Sequence, residues 1–416
     1  MVNTYIDPKS NNPYDFGVQS FVDIPLGVGN ETASDFFARF GVETAPAGSG
    51  NVDTEFYDFT TGAPVNFTAP SQADTGAALE KFISVIEPWT PFFEPGYWNF
   101  PQPADIPADL LIPWGEFVTK YGLEAAVPSI YESTGIGLGN ITLATTLFVL
   151  EAFNINTAKA FIGQLPLIHP TVGGNQALYT AIEKDLGDDV LYNSTVIRSS
   201  RTTHGVTLTV QNYVTHQITI INARQLLIAI EPTTENTATL DLDFKEKKVL
   251  SQYTYSTEFT AIINNSALAT GVEYSNLPSA AAPANYQILP NSSFTNIISY
   301  LGGNNLFHVI IVGDEDLDEA GAKALLQKDF DTLLKAGALI GPQTPQKVNF
   351  VDFSVHGPVH ARVTPEEVKA GFYQELYALQ GKRSTWWTGG AFKGQFQTEL
   401  WAFDESLIPK ILAELD

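Results

Sequence analysis

Apolar residues recur along this chain with two periods, and each change of period marks a change of element. Leu79, Phe82, Ile83 and Ile86 fall at i, i+3, i+4 and i+7, one face of a helix that starts after Ser71 and is ended by Pro88. Asp318 to Ala336 repeats the pattern, with Leu326, Phe330, Leu333 and Leu334 turned inward. Helices are also predicted over 113–121 and 175–186, and a single buried helix through Ile141 to Phe161. Thr364-Pro365-Glu366-Glu367 is a capping box with proline at the first helical position, opening a helix that closes near Gly381. A last helix opens directly after Gly389-Gly390 and runs into Trp401.

Elsewhere the period is two. Val190 to Arg198, Val206 to Val210 and His216 to Ile221 alternate branched residues with polar ones, and Gln225 to Ile230 is a continuous apolar strand of the buried type. Residues from about 253 to 312 alternate strand-like pieces with Asn, Pro and Gly turns, which predicts an antiparallel sheet. At the N-terminus Thr4 to Ile6, the breakers Asp7 to Pro13, and Phe16 to Phe21 read as a hairpin. The proline-rich stretch from Pro88 to Pro113 carries Trp89, Phe92, Phe93, Tyr97, Trp98 and Phe100, the composition of a packed irregular segment and not of a linker. This order of elements favours a mixed α/β fold with one domain assembled from separate segments.

Composition removes several classes of function. The chain has 416 residues, 44% of them apolar, enough for a large core. Its 46 acidic and 22 basic side chains leave a formal charge of −24, which repels phosphate backbones and anionic lipid, so nucleic acid is not an expected partner. The absence of cysteine excludes disulfides, thiolate zinc sites, iron–sulfur clusters and a cysteinyl bond to a cofactor. The most apolar run, Ile141 to Ile155, is interrupted by threonines and Glu151 and is too short to cross a bilayer, so no transmembrane segment is expected. No basic stretch followed by an apolar one opens the sequence, so no secretory signal is expected in it, and the compartment stays open.

Few residues carry conventional catalytic patterns. His356, in the run from Phe353 to His360, is a candidate acid–base group at a Gly-Pro turn, where a hydrogen-bonded structural role is the competing assignment. His169, His204, His216 and His308 are scattered, no pair has zinc-helix spacing, and no metal site is expected. The acidic runs at 314–319 and 241–246 lack EF-hand spacing. There is no G-x-S-x-G and no G-x-x-x-x-G-K-[ST], which removes serine-hydrolase and P-loop chemistry. Gly135-Ile-Gly-Leu-Gly139 has the wrong spacing for a dinucleotide fingerprint and is expected to be a turn between helices.

The richest segment is Ser384-Thr-Trp-Trp-Thr-Gly-Gly-Ala-Phe392, followed by Gly394-Gln-Phe-Gln-Thr-Glu-Leu-Trp401: a β-type run, two glycines, then a helix start that presents free backbone N–H groups. This segment, together with NTYIDP and DFGVQSF near the start and GGNQALYTAIEKDLGDDVLYNSTVIRSSR with LLIAIEP in the middle, resembles the fungal FAD-dependent amine-oxidase-like oxidoreductases, the group that includes β-cyclopiazonate dehydrogenase. More distantly the chain is similar to monoamine oxidases. The motifs appear in the family's order and span nearly the whole sequence.

The resemblance implies FAD as cofactor. It places Gly17, Val18 and Gln19 along the isoalloxazine ring, Val196 at the adenine side through its backbone, and Gly389, Gly390, Ala391 and Phe392 at the pyrimidine edge, with Gln397 and Thr398 nearby. One of Trp386 and Trp387 is expected to face the substrate over the flavin, and the other, by strand alternation, the core. The family begins with a strand, a G-x-G-x-x-G turn and a helix, and this sequence contains none of these. The expected fold is therefore α/β, with a glutathione-reductase-like FAD/NAD(P)-binding domain that is N-terminally incomplete and an inserted α+β substrate domain containing an antiparallel sheet. The FAD domain is expected from residues 1–40, 170–235 and 350–416, its first βαβ unit missing, and the substrate domain from 41–169 and 236–349. The remaining parallel strands should then leave an exposed apolar edge. The implied activity is hydride transfer from an amine-like or otherwise activated C–H of a small molecule to flavin N5, with oxygen as acceptor. The alternative is a catalytically silent small-molecule-binding or scaffold protein.

Overall fold

Thr254–Asn264, almost wholly buried, is the spine of the larger sheet. The computed structural model describes residues 2–27, 30–48 and 52–415; Met1 and Asp416, which bound the expected FAD domain, lie outside them. The spine pairs antiparallel with Leu306–Asp314, placing Phe259 opposite Ile311, Ala261 opposite Val309 and Ile263 opposite Phe307. Alternation sends these residues to one face, where they bury against Leu326, Phe330 and Leu333 of the Glu319–Ala336 helix. Ile262, between them, points to the opposite face and meets Phe16 from the N-terminal segment. Asp318 caps that helix through the Gly321 N–H, and Gly337 at φ 80° ends it.

The antiparallel sheet expected over 253–312 is the middle of an eight-stranded one. Phe294–Gly302 and Val272–Asn276 extend it, and Asp53–Asp58 joins in parallel to the latter. On the other side Asn349–Val355 and Val359–Arg362 both pair with the spine. Beneath the sheet lies a helical layer in which Phe82, Trp114, Phe117, Ile130, Leu147 and Phe153 are fully buried. The Gln72–Ile86 helix starts after Ser71 and carries its apolar face as expected, with Ser71 capping it by accepting from the Asp74 N–H.

A second region contains a three-stranded antiparallel meander, Ser194–Thr202, Gly205–Asn212 and Ile218–Ala223. It also contains a parallel pair, Leu226–Ile228 with Thr385–Trp387, in which Leu227 stands opposite Trp386 and Ile228 opposite Trp387. Arg201 holds the meander to the rest: its side chain, 0% exposed, bonds Asp241 and both oxygens of Glu246, which Arg383 also reaches. The N-terminal hairpin forms between Thr4–Ile6 and Pro13–Asp15, so its second strand begins at Pro13, expected to be a breaker, and ends before the Phe16 to Phe21 run expected to form it.

Four further sequence expectations need correction. The Ile141–Phe161 helix is two helices, Thr146–Ala152 and Ile155–Phe161, because Asn154 turns its side chain onto the Thr157 N–H and caps the second. The helix opened by the Thr364 box stops at Lys369, and Gly371 at φ 97° starts a separate one, Phe372–Tyr377. The helix after Gly389-Gly390 is four residues long; Gly394 at φ 104° breaks it from Gln397–Ala413. Leu226–Ile228 is not wholly buried: Leu227 is 42% and Ile230 47% exposed, an exposed apolar edge on a strand paired on one side only among the described residues.

Candidate functional site

The parallel pair delivers the glycine turn. Thr388 N–H bonds the Ile228 carbonyl at 2.9 Å, continuing the ladder one residue beyond the tryptophans, and Gly389 then adopts φ 102°, a backbone open to glycine. Trp387 is fully buried and stacks on Phe392 at 5.8 Å and 19°, while Gln380 brackets it by accepting from its N–H and donating to its carbonyl, both at 2.8 Å. Trp386 is only 6% exposed, so alternation does not leave either tryptophan open; both indole N–H groups are buried without a partner. Beyond the turn Tyr377 donates to the Phe392 carbonyl at 2.6 Å and Tyr253 to that of Ala391. The Glu231 carboxyl accepts from Gln395 at 3.0 Å through one oxygen, the other being buried without a partner, and burial pushes it up to about 7.

The segment carrying Gly17, Val18 and Gln19 is fixed from a different side. Asn175, at the start of the Gln176–Leu186 helix, donates its side-chain amide to the Val18 carbonyl at 2.5 Å and its backbone N–H to Asp15 at 2.9 Å. Gln19 folds back onto the carbonyls of Asp15 and Gly17. Farther along the same helix the Tyr179 hydroxyl accepts from the Gln397 side chain, and Phe21 stacks on Trp401 at 5.7 Å. The Gln176–Leu186 helix thus joins Val18 to the first turn of the Gln397–Ala413 helix. Three side-chain oxygens at this junction, Asn175 Oδ1, Gln397 Oε1 and Thr398 Oγ1, are buried without a partner. Orphaned acceptors at this junction suit a polar ring that donates N–H, as the flavin pyrimidine edge does. Val196 lies apart from these, half-buried with Val206 and Val210 in the meander beside a bulge. His356 is also apart: it bonds Asn3 at 2.8 Å and Thr260 at 3.3 Å, and burial holds it down to about 3.

A small cavity opens at Gly390, lined by Leu138, Phe148, Glu151, His360, Gly394 and Gln395. His360 adopts φ 51°, in the left-handed region, and burial holds its imidazole down to about 3 and neutral. Gly137 lies against it: a methyl there would collide with the His360 ring and lie 3.0 Å from Glu258 Oε2. Burial raises both Glu151 and Glu258 to about 7. These residues were not found in the sequence. The signal for Glu151 was a lone charge in an otherwise apolar helix, and that for His360 was the second histidine of the Phe353–His360 run. Among the described residues no group of three or more His, Cys, Asp or Glu side chains could hold a metal ion, and no helix is long and apolar enough to cross a membrane.

No family model matches the chain. It is 30% identical over 413 residues to the FAD-dependent oxidoreductase dpchF of Colletotrichum higginsianum, covering 96% of this chain and 83% of that protein. Against the FAD-dependent oxidoreductase pigF of Monascus ruber the identity is 31% over 399 residues, covering 94% and 79%. Against the beta-cyclopiazonate dehydrogenase of Aspergillus oryzae it is 27% over 403 residues, covering 97% and 83%. Among solved structures, a CLA-producing fatty acid isomerase from P. acnes superposes with a TM-score of 0.68 at 15% identity, covering 99% of this chain and 89% of that one. A putrescine oxidase triple mutant does so at 0.57 and 12%, covering 99% and 90%. These structural likenesses show a shared fold, that of the FAD-binding, amine-oxidase-like flavoenzymes. With FAD as its cofactor and that α/β fold, this chain belongs to the fungal FAD-dependent oxidoreductases.

Proposed function

We propose that this chain dehydrogenates a small molecule with an amine-like or otherwise activated C–H, the hydride passing to flavin N5 and oxygen reoxidising the cofactor. In this reading the FAD domain comprises residues 1–40, 170–235 and 350–416 and the substrate domain 41–169 and 236–349, the two tied together where Asn349–Arg362 strands pair with Thr254–Asn264. FAD is held by Gly17, Val18 and Gln19, by Val196, by Gly389 to Phe392 and by Gln397 and Thr398. Bound there, the cofactor supplies a two-electron acceptor.

The chain's own residues orient and shield. Trp387 and Phe392 form a stacked apolar wall, with Trp386 beside it, and Leu138 and Phe148 close the cavity at Gly390 against water. His360, neutral, presents an imidazole there that neither repels a protonated amine nor adds charge beside the flavin. The observation that carries the reading is this cavity, in which a glycine of the turn after a parallel strand pair meets a neutral imidazole and a carboxyl. The test is to purify the chain, record its flavin bands with and without added FAD, and follow their bleaching anaerobically with a panel of primary and secondary amines. Gly390→Val should abolish flavin retention, since a branched side chain would collide with Gln395 and Glu231, whereas Trp386→Phe should keep flavin and change the rate of bleaching. Colourless protein that takes up no FAD, yet binds a small apolar ligand without turnover, would favour the silent binding protein instead.

A further inference from the structure

Next to the cavity at Gly390, the outer cavity, is a second, the inner cavity, lined by Ile86, Thr90, Glu94, Glu151, Asn154 and Lys393 among others. Glu151 is common to both. The inner cavity has space for about one or two water molecules and the outer for about one. Its wall is built for a polar occupant: Asn154 is 6% exposed, and its Nδ2, like Thr90 Oγ1, is buried with no partner in the protein. A dry apolar void would not leave an amide donor and a hydroxyl unsatisfied.

The charged groups around it are arranged as a relay. Lys393, 4% exposed, lies 3.2 Å from Glu94 Oε1, and Glu94 shares a hydrogen bond with Glu399, which also accepts from Asn156 at 2.7 Å. On the other side Glu151 Oε1 accepts from the Tyr373 hydroxyl at 2.7 Å. The groups that face Glu151 are Tyr97, Tyr253, Tyr373 and Tyr377, Lys393 of the short helix and His360 across the outer cavity. Burial pushes the Glu94 carboxyl up to about 8 even with the Lys393 ammonium beside it, so Glu94 can hold a proton near neutral pH.

We propose that Glu151 is the base that takes the proton released by the substrate, and that the inner cavity passes it to Glu94 beside Lys393. This rests on the dehydrogenation proposed above. Removing two hydrogens from adjacent atoms breaks a C–H bond, whose electron pair leaves with hydride for FAD, and an N–H or O–H bond, whose electrons stay to form the new double bond. The second hydrogen departs as a proton, which forms an O–H bond on Glu151. Glu151 is suited to this because burial places it close to neutral, where it both accepts and releases a proton.

The test is an infrared pH titration of the full chain, read as the difference between wild type and Glu151→Gln in the stretching band of protonated carboxyls. The expected difference is one acid component with a midpoint near neutrality, lost in Glu151→Gln and moved to higher pH in Tyr373→Phe, which removes a hydrogen bond to the carboxylate. A difference spectrum with no acid component between about pH 6 and 8 overturns the proposal, whether or not flavin is bound. If Glu151→Gln does not fold, an unmoved midpoint in Tyr373→Phe overturns it equally. In flavin-loaded protein, with whichever amine of the panel bleaches the wild type, Glu151→Gln should slow reduction roughly 100-fold or more and lose the limb that rises towards neutral pH. Equal rates at every pH sink the relay and leave the oxidoreductase reading standing. If no amine reduces the flavin, the dehydrogenation is what fails, and the infrared titration still decides whether Glu151 carries an exchangeable proton.

Discussion

The guanidinium of Arg201 meets both oxygens of Glu246, at 2.8 and 2.9 Å, and the two side chains are 0% and 2% exposed. Removing one partner leaves the other buried with only part of its charge compensated, Arg201 by Asp241 or Glu246 by Arg383. Glu246→Ala should therefore cost about 3–5 kcal/mol, while replacing both residues together with apolar ones of similar volume should cost far less. Urea unfolding of the two single variants and the double variant measures this, and equal losses in all three would show that the pair's charge does not matter. Asp241, on the other edge of Arg201, is held well below the usual carboxylate range, first against the cost of burial, by hydrogen bonds from Arg201 and Ser199. Its contribution is present above about pH 4, the unfolded value, and is lost as pH falls further, so Asp241→Asn should lose its deficit relative to wild type in strong acid.

Buried carboxyls and buried histidines push the pH dependence in opposite directions. Burial raises Glu231 and Glu258 to about 7, so the folded state binds more protons than the unfolded one between about pH 4.3 and 7, and stability falls as pH rises through that window. Burial lowers His308 to about 4 and His356 to about 3, so the unfolded state binds more protons below about pH 6.5, and stability falls as pH drops from there. Glu258→Gln should flatten the loss above about pH 4.3, and His308→Gln the loss below about pH 6.5. Urea midpoints measured across that range separate the two; parallel curves for wild type and both variants would contradict the assignments.

Gly137 gives His360 and Glu258 the room they occupy. Gly137→Ala should force the imidazole out of its place and cost about 1–3 kcal/mol, the usual range for overpacking a filled site. The second substitution His360→Ala in that background should recover most of the loss, because it removes the atom the new methyl strikes. A double variant no more stable than Gly137→Ala alone would place the strain elsewhere.

Phe82 touches Trp114 edge-on at 5.9 Å and is fully buried in the helical layer. Phe82→Ala should cost about 3–5 kcal/mol in urea unfolding, with flavin uptake of the folded fraction unchanged, since Phe82 itself lines neither cavity.

What the sequence made legible was local. The Ser71 cap and the spacing of Leu79, Phe82, Ile83 and Ile86 contain everything that helix needs, and the same holds for Asp318 to Ala336. The Asn349–Val355 strand was not read, because its partner is Thr254–Asn264 and nothing in its own pattern names that partner. Ile141 to Phe161 was read as one helix because apolar content outweighed Asn154, a capping residue in the middle of the run. At the site, the glycine turn and its tryptophans were visible as a motif. Glu94, Glu151, Lys393 and His360 come from four separate elements, and only tertiary packing brings them to the same two cavities.

The parallel pairing of Leu226–Ile228 with Thr385–Trp387 carries a kinetic consequence. It closes a loop on the order of 160 residues for a contact only three residues long. Loop closure of that size costs about 4–5 kcal/mol in chain entropy before any side chain is buried, more than so short a ladder returns by itself. The pairing cannot nucleate folding; it forms after the meander, the Arg201 cluster and the helical layer have brought its ends close. The glycine turn and the stacked Trp387 and Phe392 are consequently among the last parts of the molecule to be ordered.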